Sequence, residues 1–189
     1  MKVLYIANSR ANELEYIPNI ISATGDEVVI ETGRIDLAYV VSNAIDFIVS
    51  DRATYLIKKD VIEFLPRKVV NLHPSVLPWC RGYYPNYWSI KTKTVHGVTL
   101  HFVDEGIDTG DIIAQTICSY AADDTLRDSY NRLRALMVGL FAACWPEIRC
   151  GKMTGKCQDK TDGSLFYRKD FNGVLDSLPN GWDTKVKDI

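Results

Sequence analysis

No apolar run in this 189-residue sequence approaches membrane-spanning length, which argues against a transmembrane helix. The apolar start, Met1 to Asn8, is too short for a secretory signal and reads as a first strand. Surplus charge is also lacking. A formal net charge of -2 leaves no basic footprint for nucleic acid or for an anionic membrane surface. No glycine-rich loop follows the first apolar run, so there is neither a dinucleotide fingerprint nor a Walker loop. The five cysteines, Cys80, Cys118, Cys144, Cys150 and Cys157, are odd in number and lack the paired spacing of a zinc site. They read as reduced thiols of a cytoplasmic protein. Asp104, Glu105 and Asp111 lie near one another in sequence, but no histidine stands at ligand spacing, and no metal is expected. There is no internal repeat, low-complexity segment or linker. The length suits one domain with a full core.

What is present is an alternation of short apolar runs and helical patterns. Val3–Ala7, Val28–Ile30, Ile45–Ser50 and Lys68–Asn71 read as strands. Leu14, Ile17, Ile20 and Ile21 fit one face of a helix that Pro18 shortens. Further helices are expected over 35–43, over 60–65 and over 85–90. Val98–Val103 and Ile112–Ile117 are two more strands, with a glycine-rich loop from Gly106 to Gly110 between them. Leu126, Tyr130, Leu133, Met137, Leu140, Phe141, Cys144 and Ile148 then recur at helical spacing. Asp123 and Asp124 are expected to cap that helix, and Pro146 to break or kink its last turns. The tail, 163–176, is expected to hold one strand and one short helix. Such alternation predicts an α/β fold with a mainly parallel sheet, whose site forms where strands end.

Two stretches carry chemistry. The first runs from Asn71 to Gly82, the second from Gly97 to Ile113. Asn71 and His73 are two residues apart, so in a strand both side chains share a face. Pro74 keeps His73 out of the helical region. An amide donor beside an imidazole suits the stabilisation of an oxyanion at a tetrahedral carbon. Asp108 lies between Gly106 and Gly110 and reads, from its own segment, as a turn residue. If it reaches His73, it can hold the imidazole, favour its protonated form and accept a proton. His101 reads as an interior strand histidine and His96 as a polar-turn residue. Cys80 has no neighbouring base and Ser75 no nucleophile elbow.

In these stretches the sequence resembles the folate-dependent formyltransferase family. The pattern stands here as Asn71, His73, Pro74, Ser75, Leu77, Pro78 and Gly82, then Gly97, Thr99, His101, Asp108 and Gly110. The resemblance implies a Rossmann-like, mainly parallel sheet flanked by helices. It assigns residues 1–151 to the catalytic domain and 152–189 to an extension packed on it. It places Asn71, His73 and Asp108 on the family's catalytic residues. It implies 10-formyltetrahydrofolate as formyl donor, held by Tyr55, Leu56 and Ile57 and by Asp104, Glu105 and Gly106, and a primary amine as acceptor. Members that formylate glycinamide ribonucleotide carry a phosphate loop where this chain has Asn8-Ser9-Arg10-Ala11-Asn12. Members that formylate initiator tRNA carry a further C-terminal domain, which is not expected here. The stretches Arg81–Trp88, Asp104–Asp111 and Gly163–Asp170 look most similar to sugar-nucleotide N-formyltransferases. The formylation domains of nonribosomal peptide synthetases are almost as similar. The expectation is therefore a cytoplasmic N-formyltransferase with an open cleft, acting on an amino-sugar nucleotide without nucleic-acid or membrane partners. Arg10, Arg52 and Arg81 are its candidate anchors for the acceptor. The rivals are a synthetase formylation domain and a folate- or sugar-binding protein without turnover.

Overall fold

The computed structural model describes residues 1–8, 16–159 and 161–189. Leu14 and Arg10 lie outside the described residues. In chain order the elements are β1 (Lys2–Ala7), α1 (Tyr16–Ala23), β2 (Glu27–Glu31), α2 (Leu37–Ser42), β3 (Phe47–Asp51), α3 (Lys59–Phe64) and β4 (Val69–His73). There follow β5 (Arg81–Gly82), α4 (Pro85–Lys91), β6 (Gly97–Phe102), β7 (Ile112–Ile117), α5 (Leu126–Ile148), β8 (Leu165–Phe166) and α6 (Val174–Ser177). Six strands form one sheet in the order β2-β1-β3-β4-β6-β7. The first four are mutually parallel, and β6 and β7 add on as antiparallel neighbours. Strand order reverses between β1 and β3, and a crevice at such a point is where open α/β sheets place their sites.

The alternation of β1 divides the core into two layers. Val3, Tyr5 and Ala7 face α1 and α5, where they meet Leu133, Met137, Phe141 and Trp145. Leu4 and Ile6 face the other side, with Val40 of α2 and Val61 of α3. The same period of two runs through β4. Val70 and Leu72 join the α5 layer, so Asn71 and His73 point to the opposite face. The α5 side chains named are almost fully buried, and each stabilises the fold by roughly 1.5–3 kcal/mol.

Helix α5 differs from expectation at both ends. Its N-cap is Thr125, which forms a capping box with Asp128. Asp124 instead turns back to the Ala121 amide and to Arg132, and Asp123 pairs with Lys185 and Lys187. Pro146 does not break the helix, which continues to Ile148. Its missing N–H falls in the final turn, where the loss of one ladder bond matters least. No helix among the described residues is long and apolar enough to cross a membrane.

Candidate active site

Strand pairing assembles the site. In the β4–β6 ladder Asn71 lies opposite His101, and His73 opposite Thr99. The polar positions of β6 therefore share the face that carries Asn71 and His73. Asp108 arrives from the loop between β6 and β7, held in the left-handed region at φ 52. Aspartate tolerates that conformation better than most residues.

The side chains form one network. Asn71 Nδ2 donates to Asp108 Oδ1 at 3.2 Å and lies 3.1 Å from His101 Nε2. His101 Nδ1 is 2.7 Å from the Phe102 carbonyl and must donate to it, which leaves Nε2 free to accept from Asn71. The Gly82 amide donates to Asp108 Oδ2 at 2.8 Å. His73 Nε2 is 3.0 Å from the Cys80 carbonyl, so that nitrogen carries a proton. Its other nitrogen, Nδ1, faces Asp108 Oδ2 at 3.5 Å. His73 and His101 are buried.

Burial lowers the His73 pKa below its ordinary value. The Asp108 carboxylate opposes this shift and His101 adds to it. For Asp108, burial alone would push the carboxyl up. His73, His101 and the Gly82 amide outweigh it and hold the group well below the usual carboxylate range. Burial thus favours the neutral imidazole, while the Asp108 carboxylate facing Nδ1 and the Cys80 carbonyl facing Nε2 favour the charged one. Desolvation works against the expected protonated state of His73, and the carboxylate of Asp108 works for it.

The remaining predicted residues fall into two regions. Ile57 is buried in the layer beneath α3, with Tyr55 and Val103 packed against the same cluster. Tyr55 donates its hydroxyl to the Gly33 carbonyl at 3.0 Å, and Leu56 is exposed. Lys59, two residues after Ile57, pairs with Glu105 at 2.8 Å and so ties this segment to the 104–106 loop. Asp104 Oδ1 holds that loop by accepting from the Gly106 amide and the Thr109 hydroxyl. A cavity of about 320 Å³ lies against the Tyr55 segment, lined by Arg34, Ile35, Asp36, Tyr39, Tyr55, Leu56 and Lys58 and by no residue of the 104–106 loop. Asp111 pairs with Arg67, so Asp104, Glu105 and Asp111 each have a separate partner. Among the described residues no three His, Cys, Asp or Glu side chains are grouped to hold a metal.

Arg52 follows β3 at φ 64. Its Nε is 3.4 Å from Asp51 Oδ1 and its Nη1 is 3.5 Å from the Tyr130 hydroxyl. Its Nε and Nη2 are shielded from solvent without a hydrogen-bond acceptor among the described residues, and so is Arg81 Nε. Beneath Arg52, Asp51 is fully buried. It accepts from the Tyr5 hydroxyl at 2.6 Å and from Arg134 at 2.7 and 2.9 Å. This cluster pins α5 to the end of β3.

One histidine was misplaced by sequence reasoning. His101 lies buried and partnered in β6, as expected, and it also joins the Asn71–Asp108 network. The signal was available: Val98, Leu100 and Phe102 claim one face of β6, which leaves Thr99 and His101 on the other. His96 is buried rather than set in a polar turn, between Ser89 Oγ at 2.8 Å and Ser129 Oγ at 3.1 Å. The asparagine of Asn86 completes that network, which no local sequence pattern reveals.

An amide, a histidine–carboxylate pair and a second orienting histidine at the strand ends of an α/β sheet define a site for proton-coupled transfer through an oxyanion. The formyl transferase family model matches residues 37–143, more than half of the chain, and the chain belongs to that family. Among solved structures, the formyltransferase PseJ from Anoxybacillus kamchatkensis, in complex with UDP-4,6-dideoxy-4-formamido-L-AltNAc and tetrahydrofolate, is similar with a TM-score of 0.91. It shares 37% identity, covering 100% of this chain and 97% of that one. An N-formyltransferase from Helicobacter canadensis, in complex with folinic acid and dTDP-3-aminofucose, is 28% identical with a TM-score of 0.68, covering 89% and 71%. The dTDP-4-amino-4,6-dideoxyglucose formyltransferase of Mycobacterium tuberculosis is 36% identical over 104 residues, 55% of this chain and 44% of that protein. The chain thus spans less than half the length of that curated relative.

Proposed function

We propose that this chain is an N-formyltransferase that moves a formyl group from 10-formyltetrahydrofolate to the primary amine of a nucleotide-linked amino sugar. The observation that carries the reading is the convergence of Asn71, His73 and Asp108 on one another from two distant segments. Binding alone has no need of a buried imidazole aimed at an ionised carboxylate. The solved relatives with tetrahydrofolate or folinic acid and a sugar nucleotide support the choice of substrates.

The residues at the donor end suit a folate. Tyr55 and Leu56 offer aromatic and aliphatic surface with Ile57 packed beneath them, and the Lys59–Glu105 pair brings the 104–106 loop alongside. When bound, the donor supplies an activated formyl carbon. One Asn71 Nδ2 hydrogen, released from its resting contact with Asp108 Oδ1, then donates to the formyl oxygen as negative charge develops there. The attacking amine must arrive neutral, and it becomes positive as its bond to carbon forms. The Asp108–His73 pair takes its proton, with Nδ1 as the basic atom. The imidazolium returns that proton to the departing nitrogen, so a formamide and tetrahydrofolate result. At the acceptor end, the partly exposed guanidinium of Arg52, two of whose nitrogens lack a hydrogen-bond acceptor among the described residues, suits a diphosphate. Arg81 suits a second contact, and Arg10 remains a candidate outside the described residues. A cytoplasmic location accords with five cysteines that form no disulfide.

The test is a panel of amine acceptors incubated with 10-formyltetrahydrofolate and read by the mass of one added formyl group. Formylation of UDP- or dTDP-linked amino sugars supports the reading. Formylation only of an aminoacyl group on a carrier protein would replace it with a synthetase formylation domain.

A further inference from the structure

The two catalytic loops are both gripped by the segment that follows α5, outside the stretch that the family model matches. Lys156 bridges to Ile112 through two backbone hydrogen bonds of 2.8 Å. Two residues on, the side chain of Gln158 is 6% exposed and donates to two carbonyls of the Asp108 loop. These are Asp108 itself at 3.0 Å and Gly110 at 2.7 Å. The chain then crosses to the other loop. Gly163 passes so close that a Cβ there would lie 2.1 Å from the Pro78 carbonyl oxygen. Ser164 Oγ accepts from the Cys80 amide at 2.9 Å. The parallel ladder of β5 with β8 continues the grip, with Arg81 donating to the Ser164 carbonyl at 2.9 Å and Tyr83 to that of Phe166 at 2.8 Å.

The residues held in this way are strained. Cys80 lies at φ 56 and Asp108 at φ 52, left-handed conformations that persist only where surroundings impose them. In Cys80 that conformation aims the carbonyl at His73 Nε2. In Asp108 it aims the carboxylate at His73 Nδ1 and Asn71. If Cys80 relaxes, Nε2 loses its acceptor and the imidazole is free to move its proton to Nδ1, which removes the basic lone pair.

We propose that Gln158 and Ser164 are positioning residues for formyl transfer, Ser164 setting His73 through the Cys80 carbonyl and Gln158 setting the loop of Asp108. The proposal rests on the formyltransferase reading for its kinetic consequence only. Its geometric consequence, the proton position on His73, is independent of that reading.

The test combines kinetics with nitrogen NMR of the imidazoles, which three histidines keep assignable. Ser164→Ala removes one hydroxyl and is expected to lower kcat on the order of tenfold, with KM for both substrates little changed. Ser164→Thr, which keeps the hydroxyl, should restore most of the loss. Gln158→Leu should cost more, on the order of a hundredfold. In the native protein His73 should carry its resting proton on Nε2, and in Ser164→Ala it should exchange between both nitrogens. A merely structural role would lower the melting temperature while leaving kcat per folded molecule and the His73 proton position as in the native protein. That result in Ser164→Ala, which alters the fold least, overturns the proposal even if Gln158→Leu fails to fold. Absence of formyl transfer by the native protein would instead reject the functional reading, while the NMR comparison still decides the positioning of His73.

Discussion

Asn71 and Asp108 stand 37 residues apart in sequence, yet Asn71 Nδ2 lies 3.2 Å from Asp108 Oδ1. The same nitrogen reaches His101 Nε2 at 3.1 Å. Asn71 is therefore both a prospective oxyanion donor and a tie that keeps the carboxylate beside His73.

Removal of any of the three side chains to which we assign the chemistry should be severe. Asn71→Ala is expected to lower turnover on the order of a hundred- to a thousandfold, the usual cost of one oxyanion donor. His73→Ala should cost at least as much, since proton transfer is lost too. Asp108→Ala should match it. A double variant should cost far less than the product of its singles, because the groups act as one unit. The measurement is kcat and kcat/KM on variants of native-like circular dichroism. Near-native turnover in one variant removes that residue from the mechanism.

Donor binding should be visible without chemistry. A ligand that binds only the native state stabilises it, by about 2.7 kcal/mol at a hundredfold excess over Kd. A 10-formylfolate analogue that cannot transfer its formyl group should accordingly raise the melting temperature. NAD and ATP should leave it unchanged, since the sequence has no loop to cradle their phosphates. A shift with NAD and none with the analogue would reject the donor assignment.

Much of this was legible in the sequence, for identifiable reasons. Strand runs such as Val3–Ala7, and Val69 and Val70 within the run from Lys68 to Asn71, are buried on both faces, so composition alone marks them. Asn71 and His73 are coupled by a two-residue period, which is a local rule. Their partners were not local. The carboxylate of Asp108 became meaningful only once β4 and β6 paired. Asp51 and Arg134 are 83 residues apart, and no periodic pattern joins a strand end to the middle of a helix. Gln158 lay in a stretch that looked merely polar, and Ser164 in one read for a strand and for resemblance, with nothing in either to link it to the loops of His73 and Asp108. The capping of α5 by Thr125 rather than by Asp123 or Asp124 was a choice among three adjacent candidates that only the turn before the helix decides.

Acid should weaken the fold through His96. Burial, reinforced by Arg132, pushes its pKa from 6.5 down to about 4. The unfolded chain therefore takes up a proton before the folded one does as pH falls. The stability tied to neutral His96 is complete above the ordinary histidine value and is lost as pH drops from 6.5 toward about 4. Over that whole window the loss is on the order of 3 kcal/mol. His73, whose pKa is also lowered by burial, adds in the same direction. Urea midpoints at about pH 7 and about pH 5 should differ measurably, and His96→Gln should reduce the difference. An identical pH dependence in that variant would clear His96 of the effect.

The acceptor side makes the most discriminating prediction. The Arg52 side chain is partly exposed at the end of β3, and two of its nitrogens have no hydrogen-bond acceptor among the described residues, an arrangement that is costly to leave unpaired. Asp51 lies 3.4 Å away, but its carboxylate is already committed to Arg134 and Tyr5. An incoming diphosphate would complete the coordination of Arg52 with charge-assisted hydrogen bonds. Such contacts are equally strong in the ground and transition states, so Arg52→Ala should raise the acceptor KM on the order of tenfold to a hundredfold with little change in kcat. Arg52→Lys should recover only part of this, because an ammonium cannot offer the planar fork. The free amino sugar, lacking the nucleotide, should be a poor acceptor for the native protein, since remote binding energy is lost. Arg52→Ala should then make no further difference with that truncated acceptor. Should Arg52→Ala weaken the free sugar as much as the nucleotide-linked one, the arginine serves the fold or the chemistry, and the diphosphate assignment is wrong.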